Sequence, residues 1–125
     1  MEHEGFKERP FEEMISNGVM ADVYRMHATK MGKRLFSKEV EKGVPSGSTD
    51  MGNVSHIVPS IHPMFGIKAE FGNHHPGFTA GAGTPAALHE ARDAGKLMAL
   101  TAIDLFNNPE LLRAAQDEFA AAGSR

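Results

Sequence analysis

The sequence predicts an α/β chain, helix-rich, in which helices flank a mixed sheet of few strands. Three observations carry this. Residues 17–33, 84–107 and 109–122 repeat apolar side chains every three or four positions, as helices with a buried face do. Residues 64–69 form a short apolar run bounded by turn formers, which reads as a strand, and residues 54–58 read as a second extended piece. Between these lie long loops rich in Gly, Pro, Ser and His, more elaborate than a bare bundle needs. The helices alone suggest an α-bundle; the loops and the strand favour the sheet.

Taken in order, residues 1–10 are polar and end at Pro10, an irregular lead-in. Glu12 and Glu13 stand near a possible helix start, where negative charge suits the helix dipole. The first firm helix opens at Asn17, a good N-cap, with Val19, Met20, Val23, Met26 (or His27) and Met31 on one face and Asp22 and Tyr24 flanking it. Gly32 followed by Lys33 and Arg34 stops it, with cations near the last carbonyls. Residues 35–44 are charged and aperiodic. Residues 45–55 form a Gly/Ser/Thr/Asp loop with a short helical turn expected near 50–54.

A second loop, 71–83, precedes the strongest helix. Thr84 is its N-cap and Pro85 its first residue. It should reach Asn107, about 35 Å at the standard rise. Leu88, Ala91, Gly95, Met98, Ala102 and Leu105 make one apolar stripe and Leu97, Leu100 and Ile103 another, the pattern of a helix sandwiched between layers. Pro109 opens the last helix, with Leu111, Leu112, Ala115 and Phe119 inward and Gly123 ending it.

At 125 residues the chain suits one domain and not two. A net charge of -3 and the lack of a basic run give no electrostatic case for nucleic acid. No run approaches the ~20 apolar residues of a membrane helix, and the acidic start has no signal-peptide core. With no cysteine, thiolate ligands and disulfides are excluded, and a cytoplasmic home is weakly favoured.

Chemistry concentrates in residues 45–76, which hold four of the seven histidines: His56, His62, His74 and His75. A neutral imidazole is a common transition-metal ligand, and a loop anchored by helices can hold one still. His74 and His75 are adjacent, so their side chains diverge and one at most would bind a given ion; solvated surface histidines are the plain alternative. Asp50, after Ser48 and Thr49, reads as a ligand, a base or, more simply, a loop brace, since such side chains bond nearby backbone N–H groups. His62 precedes Pro63, which favours an extended backbone, and could meet a substrate carboxylate or sit half-buried. His56, His89, His3 and His27 read as structural or exposed. The Gly81-to-Pro85 run could cradle an anion at a helix start but lacks a phosphate-loop lysine, so a plain junction is favoured.

In order and spacing, residues 47–55 (GSTDMGNVS), 58–63 (VPSIHP), Asn73-His74 and Ala82-Gly83-Thr84 resemble the C-terminal part of zinc-dependent amidohydrolases, the aminoacylase and carboxypeptidase family. The nearest branch looks like the p-aminobenzoyl-glutamate hydrolases and β-alanyl-lysine dipeptidase-like members. The resemblance runs from about Pro10 to Phe119. It implies that residues 1–125 are a single partial domain, the C-terminal segment of a zinc-exopeptidase-like catalytic domain.

In the complete enzyme two zinc ions would serve hydrolysis of short peptides or N-acyl amino acids. His74 would be the one metal ligand here, with His75 standing where the family usually has Thr. Asp50 would organise the site and His62 face the substrate, with Ser48, Thr49, Asn53 and His75 as further substrate-binding or organising residues. The remaining ligands and the catalytic glutamate would lie upstream, so no catalytic residue is expected in this chain and it should be inactive alone. The expected partners are a small peptide substrate and either a second copy or an upstream chain. The alternative is a non-catalytic remnant or interaction module.

Overall fold

The computed structural model describes residues 11–37, 40 and 49–123. The irregular lead-in, most of the charged 35–44 stretch and Ser48 lie outside them. The described elements are helices: α1 (Gly18–Lys30), α2 (Met51–Ser55), α3 (Phe78–Ala82), α4 (Pro85–Asn107) and α5 (Pro109–Ala122). Helices α1, α4 and α5 pack on one another, and α3 rests on α4.

Local chemistry fixes the helix ends where the sequence marks them. The Asn17 side chain accepts from the Met20 N–H at 3.0 Å, and Thr84 Oγ1 accepts from the Ala87 N–H at 3.1 Å. Pro85 and Pro109 stand at their helix starts, where the missing N–H costs nothing. At the end of α1, Gly32 takes φ 72°. The Gly32 N–H then reaches the Thr29 carbonyl at 2.9 Å and the Lys33 N–H the Ala28 carbonyl at 2.9 Å. This is a complete Schellman stop, and the positive φ explains the glycine.

The expected α/β class is not found. Among the described residues there is no strand, so the helix-flanked mixed sheet is replaced by helices and irregular chain. Residues 64–69 run as coil, with Met64 75% exposed. Residues 54–58 are the end of α2 and the turn after it. A strand exists only when a neighbour takes its N–H and C=O groups, and no described segment lies alongside to do so. Glu12 and Glu13 likewise open no helix: residues 11–17 are irregular.

The buried core is small. Tyr24, Ala28 and Leu97 form its centre, with Met31 and Ile61 packed on it. Burial pushes the Tyr24 hydroxyl above its usual pKa, with the Lys33 charge opposing. Tyr24 therefore lies in the core rather than beside it. Helix α4 buries Ala87, Asp93, Leu97 and Thr101, whereas Leu88, Met98, Leu100, Ile103 and Phe106 are exposed. The first expected stripe thus faces mostly outward, and the second keeps only Leu97 inside. In α5, Ala115 is buried but Leu112 is exposed. The sandwich expected for α4 has one layer, not two.

Asp93 explains how a charged residue enters that layer. Its carboxylate lies 2.8 Å from Lys33 Nζ, which also reaches Glu90 at 2.7 Å. The bond from Lys33 holds the Asp93 carboxyl below its usual pKa, and the bond to Asp93, then that to Glu90, raises the Lys33 ammonium. This network ties the end of α1 to the first half of α4.

Candidate metal-binding loop and its surroundings

The start of α2 is braced by Thr49, whose hydroxyl accepts from the Met51 N–H at 3.3 Å. Asp50 occupies the N-cap position, is exposed and makes no side-chain capping bond. At this helix end the side-chain bond to a backbone N–H comes from Thr49. Asn53 accepts from the Glu12 N–H at 3.4 Å, and Ser55 Oγ from the Ile15 N–H at 3.0 Å. His56 Nε2 donates to the Glu13 carbonyl at 3.0 Å. Residues 12–15 therefore lie directly on α2. Gly52 makes the approach possible, because a Cβ there would stand on the Glu12 carbonyl.

His62 is exposed in coil. His74 and His75 occupy the turn before α3, and both are exposed. His74 is the one non-glycine residue with positive φ among those described, at 68°. Histidine is among the side chains that tolerate this region, and held strain of this kind collects at binding sites. His75 differs in its surroundings. Its ring stacks on Phe71 at a centroid distance of 4.2 Å and an interplanar angle of 10°, and its Nδ1 accepts from the Gly77 N–H at 3.0 Å.

A zinc ion needs about three protein ligands besides an open position. Among the described residues no three His, Asp or Glu side chains gather as such a group. By themselves these residues do not fit a complete zinc site; they offer single imidazoles. A separate feature is an open apolar groove of about 260 Å³ lined by Met20, Met51, Ile61, Met98 and Leu105, among others. None of the described histidines lines it.

Two relationships had no clear signal in the sequence. The Glu118 carboxylate of α5 receives the Gly18 and Val19 N–H groups at 2.9 and 2.8 Å, closing the start of α1. His27 Nε2 donates to Asp104 Oδ2 at 2.8 Å, joining α1 to α4. A glutamate on the last helix and a histidine on the first carry no local mark of their partners.

No described helix is long and apolar enough to cross a membrane. No family model matches the chain, and no solved structure matches it. Two curated proteins are similar. The Xaa-Arg dipeptidase of Mus musculus is 38% identical over 106 residues, covering 85% of this chain and 25% of that protein. The Xaa-Arg dipeptidase of Homo sapiens is 36% identical over 106 residues, covering 85% of this chain and 24% of that protein. The chain therefore spans about a quarter of the length of the curated relatives it matches. That similarity supports kinship with a peptidase family of the dipeptidase kind.

Proposed function

We propose that the chain is the C-terminal segment of a metal-dependent amidohydrolase that cleaves the amide bond of short peptides or N-acyl amino acids. The observation that carries this is the similarity of most of the chain to one quarter of two proteins named Xaa-Arg dipeptidase. Their name narrows the substrate class to dipeptides of the form Xaa-Arg. Within this reading His74 would hold one of the two zinc ions of the complete enzyme, which would supply the Lewis acid. The exposed, left-handed turn at His74 supports the assignment. Asp50, Asn53, His62, Ser48 and Thr49 would shape the substrate side of the same loops. On this reading the other metal donors belong to the rest of the catalytic domain, and the 125-residue chain is expected to be inactive by itself. The test is an assay of the purified chain with added zinc on Xaa-Arg dipeptides and N-acyl amino acids. No turnover is expected; sustained turnover overturns the reading.

A second reading, a non-catalytic interaction module, draws on the outward apolar side of α4, where Phe106 is 86% exposed. Such a face suits a second copy or a partner chain. Restored hydrolysis on mixing with the missing part of the enzyme favours the first reading; association without activity favours the second.

A further inference from the structure

The ring of His75 is engaged from two directions. Its face lies on Phe71, and its Nδ1 accepts the Gly77 N–H. A backbone N–H can only donate, so the Nδ1 lone pair is occupied and the neutral ring carries its proton on Nε2. Nδ1 is thus engaged as an acceptor within the turn, which leaves Nε2 as the protonated nitrogen of the neutral form. Gly77 completes the clasp, because a Cβ there would enter the Phe71 ring. Around it the backbone closes in successive turns, His75 N–H to the Gly72 carbonyl at 3.3 Å and Phe78 N–H to the His75 carbonyl at 2.9 Å. Within this closed turn sits His74, at a φ of 68° that costs an L-residue about 1–2 kcal/mol and that the turn around it must offset.

We propose that His75 is the positioning residue of this turn, its clasped ring imposing the left-handed backbone that presents His74 outward, and that it is not itself a metal ligand. This rests on the reading of His74 as the metal-binding imidazole. Of two adjacent histidines, the ring held by the Phe71 stack and the Gly77 N–H is the brace, and its neighbour remains for the ion.

The test uses nuclear magnetic resonance on the 125-residue chain near neutral pH. Ring nitrogen shifts of the wild-type chain report the His75 tautomer, and the intraresidue HN–Hα nuclear Overhauser effect of His74 reports its positive φ. Three variants separate the contacts: His75→Asn keeps an acceptor for Gly77, His75→Phe keeps the stacking ring, and His75→Ala keeps neither. The expected tautomer is Nε2–H. The His74 effect should fall by about half in His75→Ala, as the turn exchanges between two conformations, and be largely kept in the other two. An Nδ1–H tautomer, or an unchanged His74 effect in His75→Ala, overturns the brace. Zinc added alone should shift the His74 ring and spare His75. A shift of the wild-type His75 ring overturns the brace. If neither ring shifts, the ligand reading of His74 fails while the brace, read from tautomer and φ, stands.

Discussion

Glu118 Oε1 lies 2.9 Å from the Gly18 nitrogen, so the last helix caps the first across a sequence separation of 100 residues. Its second oxygen takes the Val19 N–H at 2.8 Å, and Asn17 takes the Met20 N–H. Three of the N–H groups left open at the start of α1 are therefore satisfied, two by a distant carboxylate.

Glu118→Ala should cost about 1–2 kcal/mol of stability, the range of a lost cap strengthened by charge. Glu118→Gln keeps one acceptor oxygen and should lose less. Urea unfolding of both variants measures the difference; an unchanged midpoint in Glu118→Ala would show that water replaces the carboxylate without loss.

Gly52→Ala forces a methyl onto the Glu12 carbonyl, a backbone atom that cannot swing aside. A loss of about 1–3 kcal/mol is expected, as for overpacking elsewhere. Hydrogen exchange at Ile15, whose N–H bonds Ser55, should speed up as residues 12–15 lift from α2. Exchange at wild-type rates would mean that the two segments do not lie in contact.

The Lys33–Asp93 pair gives a pH dependence with a definite sign. The Asp93 carboxyl sits below its usual 3.8 when folded, chiefly through the bond from Lys33. Its contribution is therefore present above that value and is lost as pH falls from there through the folded pKa. The Lys33 ammonium sits above its usual 10.5, so its contribution is present below that value and lost as pH rises through the folded pKa. Between these limits the pair adds a flat increment. In Asp93→Asn both limbs should flatten relative to wild type in thermal melts across pH; identical limbs would show that the pair does not form.

The outward side of α4 should drive association. Phe106→Glu should weaken any self-association about 10- to 100-fold, as expected for losing the burial of one large apolar side chain. Sedimentation equilibrium reads this directly. A wild-type chain that stays monomeric at high concentration would remove a second copy as the occupant of this face.

How much was legible depends on how local the signal is. Asn17, Gly32, Thr84, Pro85 and Pro109 mark helix ends because each acts on backbone groups within a few residues, and α4 and α5 run as the sequence suggested. The strand expected at 64–69 is absent because a strand is a property of a pair, and no described segment supplies the second member. The inward face of α4 differs from the expected stripes for a related reason. Asp93 is buried with Lys33 arriving from another segment to pair with it, while Leu88 and Met98 on the same helix are exposed. At the loops, the histidines were visible in sequence, but the separate fates of His74 and His75 depend on the Phe71 stack and the Gly77 N–H.

Zinc titration of the 125-residue chain, compared with His74→Ala, bears most directly on the central claim that His74 is one donor of a metal site whose others lie elsewhere. One weak site is expected, with Kd on the order of 1 mM, lost in His74→Ala. Micromolar or tighter binding, or binding indifferent to His74→Ala, would contradict it.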